Sequence, residues 1–536
     1  MSDSVLASRT EVGARPVTKA EMRKVVFAAS LGTIFEWYDF YLYGSLAIFF
    51  SSLFYPSDNP TAAFLAVLAT YGAGYVVRPI GALVFGRIGD KLGRKVAFMI
   101  TITIMGVSTA AVGVMPTFAT VGYVAPAILL SLRLLQGFAL GGEYGGAAVY
   151  VAEHSAPGER GYQTSLIATT ATTGLILSLF VILGCRLVMD AASFAAWGWR
   201  IPFLFSLLLL AVSVYIRLQL SESPAFKKVL SEGRTSKAPI SESFGEWKNL
   251  KLVLIALFGA VVGEGVVWNA GQFYVLFFIT GTLKVDYQDA YLLISVALIL
   301  GTPFIVLFGW LSDKVGRKWI MLTGFFLAAL TMMPIYMAIA QAANPKLADF
   351  LRNTHITVEA TDCNFNVFSK PSTDCDKVRD SLTRAGVNYE LKPGQAAAPV
   401  VTRIGDREIR GFDEVSIKAA MKANGYPEKA DPALINRPLV VGLIVALMFL
   451  VGLVFGPVAA FLVELFPTRI RYTAMSLPYH VGNGVIAGFL AFFATAFSVY
   501  AGNIFAGLWY PIGFAVLSLV IGVIFLPETK DLPLDR

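Results

Sequence analysis

Long apolar runs recur along the chain, and they restrict its fold more than any other feature. A helix of about 20 apolar residues crosses the hydrocarbon core of a bilayer. We count twelve such runs, with approximate bounds at 24–53, 61–86, 95–115, 121–151, 163–189, 199–220, 250–281, 288–310, 318–342, 437–464, 471–499 and 503–526. Only 15% of the residues are charged, compared with about 25% in soluble domains. The sequence therefore predicts an all-α polytopic membrane protein with twelve transmembrane helices.

Lysine and arginine are concentrated in alternate loops. They occur before the first run (Arg23), between the second and third runs (87–95) and between the eighth and ninth runs (314–318). The loops at 55–61 and 116–121 contain neither residue. Cytoplasmic loops carry the excess of positive charge in membrane proteins. We therefore expect a multi-pass protein of the bacterial inner membrane with both termini in the cytoplasm.

The segment 344–436 differs from the rest of the chain in composition and pattern. Strand-like stretches at 355–361 and 400–410 alternate with helix-like stretches at 373–385 and 412–424. A long outer loop is translocated regardless of its charge. We therefore expect a small α+β extracytoplasmic insert, located in the periplasm, between helices nine and ten.

A second polar segment, 221–249, separates the sixth run from the seventh. It contains basic residues and four glutamates but no apolar run that could span a membrane. We interpret it as a cytoplasmic linker between two six-helix bundles. The expected domains are a cytoplasmic tail (1–23), an N-terminal bundle (24–220), the linker (221–249), a C-terminal bundle (250–526) interrupted by the insert (344–436), and a second cytoplasmic tail (527–536).

Two of the three cysteines lie in the insert. Cys363 and Cys375 are twelve residues apart, and in an oxidising periplasm such a pair forms a disulfide. We predict that bond. The alternatives are two free thiols or a zinc site, for which His355 is the one nearby histidine.

A pair of related loops reveals an internal repeat. The loop G-R-I-G-D-K-L-G-R-K (86–95) recurs 223 residues later as G-W-L-S-D-K-V-G-R-K (309–318). A later pair of similar segments starts at Glu153 and at Glu464, which are 311 residues apart. The increase indicates an insertion of about 85 residues between helices nine and ten, which coincides with the polar insert. The sequence thus predicts two parallel six-helix repeats about an axis along the membrane normal.

Both loops follow the pattern G-x-x-x-D-x-x-G-R-K, which we interpret as a gating motif. Glycine allows close approach of helices, and the aspartate can accept hydrogen bonds from basic side chains or cap a helix N-terminus. Such contacts can hold one face of a transporter closed. The alternative is an ordinary tight turn with basic residues. The residues assigned to the motif are Gly86, Asp90, Gly93, Arg94, Asp313, Gly316 and Arg317.

Together with the repeat, four further segments resemble a known family. They are E-W-Y-D-F (36–40), R-P-I-G-A (78–82), R-L-L-Q-G-F-A-L-G-G-E-Y (133–144) and F-P-T-R-I-R-Y (466–472). The chain is similar to the metabolite:proton symporter family of the major facilitator superfamily, outside the insert. The resemblance implies transport of carboxylates such as 2-oxoglutarate, citrate and shikimate, or of zwitterions such as proline and betaine. It also implies a central cavity lined by helices one, four, seven and ten.

Three charged residues lie near the middle of apolar helices, where charge is costly. Glu36 and Asp39 occur in helix one and Arg133 occurs at a similar depth in helix four. We expect Arg133 to face the two acids across the cavity, where its planar group can bind a substrate carboxylate. Burial favours the neutral form of a carboxyl group, so the acids are candidates for proton coupling. The alternative is a permanent structural ion pair.

Other polar residues inside the helices complete the predicted site. Glu143 and Glu264 are further proton-coupling candidates, and Arg78 can bind substrate or anchor the gate. The remaining substrate-binding candidates are Tyr38, Tyr41, Trp268, Asn269, Gln272, His480 and Asn483. For the aromatic residues and the histidine, a packing role is the alternative interpretation.

These features favour a proton-coupled symporter that imports a small organic acid, such as a dicarboxylate, 2-oxoglutarate or a shikimate-like metabolite, by alternating access. The alternative is a proton symporter for a zwitterionic osmolyte such as proline or betaine, whose cation Trp37 or Trp268 can contact. The chain has no G-x-x-x-x-G-K-[ST], H-E-x-x-H or G-x-S-x-G motif and only three histidines. We therefore expect no enzyme activity, no metal and no cofactor besides the proton. The expected partners are a small-molecule substrate, protons and lipid, with no nucleic acid, and the protein is expected to be a monomer.

Overall fold

Helices make up most of the protein in the computed structural model. The structure describes residues 19–55, 60–92, 94–142, 144–218, 242, 244–361, 363, 371–395, 398–467 and 470–533. Within those residues, nine helices are long and apolar enough to cross a membrane, and the bent pair Ala191–Gly198 and Arg200–Tyr215 makes a tenth if it is one span. The predicted helical, multi-pass class is confirmed, whereas the count of twelve spans stays a prediction.

The helices before the linker form the first half of the molecule. They are α1 (Lys19–Ser45), α2 (Ala47–Phe54), α3 (Pro60–Val76), α4 (Arg78–Leu92), α5 (Arg94–Val114), α6 (Phe118–Val121), α7 (Val124–Leu140), α8 (Tyr144–His154), α9 (Arg160–Val188), α10 (Ala191–Ser193) and α11 (Arg200–Leu218). A Cβ atom on Gly137 of α7 would lie 1.5 Å from the carbonyl oxygen of Gly74 on α3. Only glycine fits at such a crossing, which brings α3, the helix just before Arg78, into close contact with α7, which carries Arg133.

The second half begins after the linker. Its first helices are α12 (Trp247–Ala256), α13 (Val262–Asn269), α14 (Val275–Phe277), α15 (Tyr287–Val315) and α16 (Arg317–Ala343). Helix α15 packs along α9 of the first half. A Cβ on Gly309 would lie 2.7 Å from the carbonyl oxygen of Gly161, so a glycine pair permits this contact between the halves.

The insert follows α16 and contains a four-stranded sheet. Its elements are α17 (Pro345–Asn353), β1 (Ile356–Ala360), α18 (Asp374–Ala385), β2 (Glu390–Pro393), β3 (Val401–Ile404), β4 (Arg407–Arg410) and α19 (Glu414–Ala423). The strand order is β2-β1-β3-β4, with β1 parallel to β2 and the other pairs antiparallel. A capping box at Thr373 begins α18, and Gly386 in the left-handed conformation ends it. The predicted α+β character of the insert is confirmed.

A disulfide joins Cys363 and Cys375, as predicted. The Cα atoms are 5.2 Å apart, a separation that suits a disulfide. Cys375 lies in α18 and is fully buried in the hydrophobic core. The bond therefore ties the segment after β1 to the first turn of α18. Among the described residues, no group of three or more histidine, cysteine, aspartate or glutamate side chains is arranged to hold a metal.

The helices after the insert complete the second half. They are α20 (Arg437–Leu465), α21 (Arg471–His480), α22 (Leu490–Ala501) and α23 (Trp509–Phe525). Turns of π-helix flank α13, at Leu257–Val261 and Ala270–Tyr274, and another follows α21 at Val481–Ile486. A π turn redirects the side chains that follow it and is frequent at functional sites. The turn before α13 therefore changes which residues of α13 face the centre of the molecule, and the turn after α21 contains Asn483.

Candidate functional site

A small closed cavity lies between the two halves. Its volume of about 10 Å³ is close to what one water molecule needs. Its walls are Trp37, Tyr75, Arg78 and Ala171 from the first half and Glu264, Trp268, Asn269, Phe455, Tyr479, Asn483 and Ala487 from the second. Five predicted site residues, Arg78, Glu264, Trp268, Asn269 and Asn483, thus line one space. The cavity is closed in this conformation, so a substrate fits only after the halves move.

Arg78 supplies the positive charge of the cavity. Its guanidinium carbon lies 3.9 Å from the ring centroid of Tyr75, 4.5 Å from that of Phe40 and 5.2 Å from that of Trp37. The side chain is buried, and its Nε and Nη2 atoms have no hydrogen-bond partner among the described residues. Aromatic rings stabilise a cation without using its N–H donors. The guanidinium is therefore held in place while donors stay available for an anion.

Glu264 supplies a carboxyl group from the second half. It is fully buried on α13, and its Oε2 atom accepts a hydrogen bond of 2.9 Å from Nδ2 of Asn483. The other oxygen, Oε1, has no hydrogen-bond partner among the described residues. A Cβ on Gly265 would lie 2.6 Å from Oδ1 of Asn483, so this glycine makes room for the contact. The arrangement orients one oxygen and leaves the other available for a proton or a ligand.

Several neutral polar groups near the cavity also have unused hydrogen-bonding atoms. Among the described residues, no partner is found for Asn269 Oδ1, for either amide atom of Gln272 or for either ring nitrogen of His480. All three side chains are buried, and buried polar groups are normally satisfied. Asn269 lines the cavity, whereas Gln272 and His480 lie outside its wall. This concentration of unsatisfied groups is typical of a site that binds a polar ligand.

The predicted site residues of α1 point in different directions, and none of them lines the central cavity. Tyr38 donates a 2.7 Å hydrogen bond to the carbonyl oxygen of Pro202 on α11, so its hydroxyl is used outside the cavity. Tyr41 stacks on Trp37 with 5.0 Å between ring centroids and supports the wall from behind. Glu36 and Asp39 are buried but do not line the cavity. Asp39 keeps one oxygen, Oδ1, without a hydrogen-bond partner among the described residues.

The expectation that Arg133 faces Glu36 and Asp39 is wrong for this conformation. Its Nη1 atom donates to Gln136 Oε1 at 2.6 Å and to the Phe40 carbonyl oxygen at 3.2 Å. Its guanidinium carbon lies 4.3 Å and 4.7 Å from the ring centroids of Phe40 and Tyr43. Within the described part of the chain it forms no ion pair with a carboxylate.

The physical reason for this error is a difference in axial position. Counting residues along each helix does not fix how far two packed helices are offset along their common axis. Phe40 and Tyr43 lie one and two turns beyond Glu36 on the same face of α1. Their rings cover the guanidinium of Arg133, so this arginine is enclosed by aromatic groups rather than by acids.

The second copy of the gating motif joins the two halves at the end of the molecule opposite the insert. Asp313 accepts hydrogen bonds of 2.8 Å from the backbone N–H groups of Gly161 and Tyr162, at the N-terminus of α9. Arg317 forms ion pairs with Asp313 at 2.7 Å and with Glu464 at 3.0 Å. Gly316 has a φ of 108°, which favours glycine. The aspartate therefore caps a helix of the opposite half, as the motif suggested.

The first copy of the motif cannot be compared in the same way. The side chains of Asp90 and Arg94 lie outside the described residues, and so do Gly93 and Glu143. Gly86 is part of α4. The assigned roles of these residues stay predictions.

Four further charged residues of this contact were not predicted from the sequence. Glu464 pairs with Arg160 at 3.5 Å as well as with Arg317, and Arg471 pairs with Glu153 at 3.1 Å. Both pairs connect the first half to the second. A signal was present, because Glu153 and Glu464 begin the second pair of repeated segments. Repeat-related acids thus pair with basic residues of the opposite half.

Comparisons with known proteins give a consistent result. The family described as "Sugar (and other) transporter" matches residues 25–358 and 421–536. The Escherichia coli K12 shikimate transporter is 32% identical over 63% of this chain and 77% of its own length, and the alpha-ketoglutarate permease of that organism is 32% identical over 64% and 78%. The proline/betaine transporter of Salmonella typhimurium is 33% identical over 60% of this chain and 66% of its own length.

Solved structures agree on the fold. The proton:xylose symporter XylE, bound to 6-bromo-6-deoxy-D-glucose, superposes with a TM-score of 0.64 at 16% identity, covering 96% of this chain and 98% of that one. The family match and the named relatives define a multi-pass membrane transporter rather than an enzyme. The chain belongs to the sugar (and other) transporter family of the major facilitator superfamily. The predicted resemblance to that superfamily is thereby confirmed, and the gap in the family match, 359–420, falls within the insert.

Proposed function

We propose that the protein is a proton-coupled symporter that imports a small organic acid by alternating access. The observation that carries this proposal is the presence of Arg78 and Glu264, one from each half, in the wall of one closed cavity. A carboxylate would bind the guanidinium of Arg78 through charge-assisted hydrogen bonds. Glu264 would take up the coupled proton. Relatives named for shikimate and alpha-ketoglutarate transport support this class of substrate.

Charge balance explains why the proton would travel with the anion. With substrate bound, two buried carboxylates, that of the substrate and that of Glu264, would share the cavity with one arginine. One of them would then be unpaired, and an unpaired buried charge is costly. Protonation of Glu264 leaves a single ion pair between substrate and Arg78. The halves would then close around a neutral assembly. Glu36, Asp39 and Glu143 are kept as further candidates for the path of the proton, whereas we propose that Arg133 holds α1 against α7.

Transport of a zwitterion such as proline or betaine is the second candidate. The Trp37 and Trp268 rings, 6.3 Å apart, both line the cavity. An alkylated ammonium group can bind against aromatic faces while its carboxylate binds Arg78. The relatives named as proline/betaine transporters support this reading.

The proposed membrane arrangement has two bundles of six helices, at 24–220 and 250–526, in the bacterial inner membrane. The linker and both termini would lie in the cytoplasm, and residues 344–436 in the periplasm. The disulfide supports this orientation, because such bonds form in oxidising compartments, and it lies in the insert, opposite the gating motif. We also propose that a monomer is the working form.

Uptake into proteoliposomes tests the proposed function directly. We expect an inward proton gradient to drive accumulation of at least one acid among 2-oxoglutarate, citrate and shikimate, and the outer medium to become alkaline as it enters. Proline and betaine are the matched zwitterionic probes. Accumulation of these two alone would favour the second candidate, and uptake that ignores the proton gradient would exclude coupling.

Asp313→Asn is expected to weaken the closed state of the motif-bearing face. Arg317 would keep Glu464 as its remaining ion-pair partner, so the loss is smaller than that of an unpaired buried charge, and about 1.4 kcal/mol is enough for a tenfold change in the closed-to-open equilibrium. The halves should then open more often at this face. The reporter is a cysteine placed at Ser312, which is fully buried between the halves, in a protein from which Cys185 has been removed. In inside-out vesicles, we expect maleimide to modify this cysteine about tenfold faster when Asp313 is replaced by asparagine.

Asp289→Asn is the matched control for this experiment. Asp289 lies near the other end of α15 and pairs with Arg437 of the same half at 3.0 Å. Its loss should leave the modification rate of the Ser312→Cys reporter as it was. Equal acceleration by both substitutions would show a general loosening of α15 and would contradict a gating role for Asp313.

A further inference from the structure

A second and larger cavity lies beneath the insert. Its volume is about 420 Å³, which falls in the range of small-molecule sites. Three parts of the chain form its walls: the first half, which includes Phe64, the second half, which includes Phe277 and Lys284, and the insert, which includes Arg384 and Tyr389. The cavity is therefore located at the seam where the halves separate, at the face opposite the gating motif.

The insert is attached to the second half along one side of this cavity. The backbone N–H of Tyr389 donates to the Gly502 carbonyl oxygen at 2.9 Å, and that of Ile504 donates to Asn388 Oδ1 at 2.9 Å. Arg379 donates to the Tyr500 carbonyl oxygen at 3.0 Å. Helix α18 meanwhile lies against α3 of the first half. The insert thus forms a roof over the cavity that is hydrogen-bonded to the second half.

The charged groups in the wall are both cationic. They are Lys284 and Arg384, and no aspartate or glutamate is among the residues that line this cavity. Arg384 already forms ion pairs with Asp380 at 3.1 Å and with Glu414 at 3.9 Å, so Lys284 is the cation of the wall without an ion-pair partner among the described residues. The ammonium group of Lys284 has no hydrogen bond or ion pair with any residue that the structure describes. Serine and threonine residues from all three parts of the chain line the same cavity.

Lys284 has an unusual backbone as well as a free side chain. Its φ is 58°, and every other described residue with a positive φ is a glycine. The neighbouring structure holds this conformation, because Ala430 of the insert segment donates to the Lys284 carbonyl oxygen at 3.1 Å. Strained backbone persists where the surroundings hold it and is frequent at ligand sites. Burial also lowers the pKa of Lys284, an effect that a bound anion would offset.

An aromatic contact separates this cavity from the central one. Phe64 of the first half meets Phe277 of the second with 6.3 Å between ring centroids. Further rings continue inward from Phe277 to Phe273 at 6.1 Å and from Phe273 to Trp268 at 6.4 Å. Trp268 lines the central cavity. Separation of the two halves at this seam would connect the two cavities.

We propose that the cavity beneath the insert is an anion-binding antechamber, in which Lys284 and Arg384 hold a small carboxylate before it passes to Arg78. The identity of the anion as a transported substrate rests on the proposed function, whereas the anion site rests on the cavity itself. The insert creates the site, since it supplies Arg384 and the roof.

Amine acylation of the wild-type protein tests the antechamber without a transport assay. Purified protein in detergent is treated with a small acylating reagent, and modification is followed by mass spectrometry at Lys284 and at the partly exposed Lys392. We expect 2-oxoglutarate or shikimate to slow modification of Lys284 at least fivefold relative to Lys392, and the uncharged methyl ester of shikimate to have no such effect. Equal protection by the ester, absence of protection or failure of the reagent to reach Lys284 would each overturn the proposal.

Two variants separate this inference from the proposed function. In Arg78→Gln, the anion should still protect Lys284 from acylation, because this substitution alters only the central cavity. Loss of protection would instead place the anion in the central cavity and would contradict the proposal. Failure of proton-driven uptake, in contrast, would leave the acylation result standing. Lys284→Asn should raise the KM for uptake of the acid about tenfold, and Lys284→Arg should restore it. Asparagine tolerates a positive φ, so the change removes the charge without forcing the backbone, and an unaltered KM would contradict the proposal.

Discussion

Glu264→Gln is expected to abolish proton-driven accumulation of substrate while leaving exchange of substrate across the membrane. Glutamine has nearly the same shape as glutamate and can keep the hydrogen bond with Asn483, which is 2.9 Å long in the native protein. It cannot bind and release a proton. Residue 264 would therefore stay neutral, so the halves could still close around bound substrate. The proton gradient could not drive the cycle, because no group at this position would bind and release a proton. Counterflow and gradient-driven uptake, measured in the same proteoliposomes, separate these two activities.

Asp39→Asn is the informative comparison for this result. Asp39 is also buried and also has an oxygen without a hydrogen-bond partner among the described residues, but it lies outside the cavity wall. We expect the asparagine variant to keep at least part of the gradient-driven uptake. The reverse outcome, with coupling lost in Asp39→Asn and kept in Glu264→Gln, would move the proton site to α1.

Arg78→Gln is expected to weaken binding of the carboxylate substrate by about 100-fold, equivalent to about 2.7 kcal/mol. The buried guanidinium has two donor atoms without a partner among the described residues. These donors can form charge-assisted hydrogen bonds with a bound carboxylate, and the substitution would remove them. Arg78→Lys should recover little of this loss. An ammonium group lacks the planar pair of donors and covers less of the Tyr75 and Phe40 rings. Isothermal titration of the purified variants measures the change.

Arg200→Gln is a matched control for the arginine experiment. Arg200 also rests on an aromatic ring, with 4.4 Å from its guanidinium carbon to the Trp199 ring centroid, but its Nη1 donates to the Gly113 and Met115 carbonyl oxygens outside the cavity. Its loss should lower thermal stability without altering affinity. A change of less than threefold in Arg78→Gln would instead assign the carboxylate to another cation, of which Arg133 is the first to examine.

The different surroundings of Arg78 and Arg133 could not be predicted from the sequence. Both arginines lie in apolar helices, and both are predicted substrate-binding residues. The structure gives Arg133 a hydrogen-bond partner of its own, Gln136, three residues along α7, whereas Arg78 opens onto the central cavity. The segment R-L-L-Q contains this pair, so its spacing was a usable signal for a contact within α7. The Nε and Nη2 atoms of Arg133, like those of Arg78, have no hydrogen-bond partner among the described residues, so it is the position in the cavity wall that distinguishes Arg78.

The sequence by itself determined the properties that depend on local composition and on repetition. Apolar runs longer than a bilayer is thick permit only membrane helices, and the shift between repeated segments located the insert that interrupts them. The cysteine pair and the capping aspartate Asp313 were predicted because each depends on a short segment and one partner surface.

Only the tertiary structure decided which residues share a space. The direction of a side chain in the bundle depends on helix rotation, on π turns such as Ala270–Tyr274 and on close glycine crossings such as Gly74 with Gly137. None of these is set by depth along a helix. They bring Glu264 and Asn483 together from positions 219 residues apart, they enclose Arg133 in aromatic rings, and they place Arg384 of the insert and Lys284 in the wall of one cavity. Contacts between distant segments are fixed by packing of the whole fold, which a single sequence does not display residue by residue.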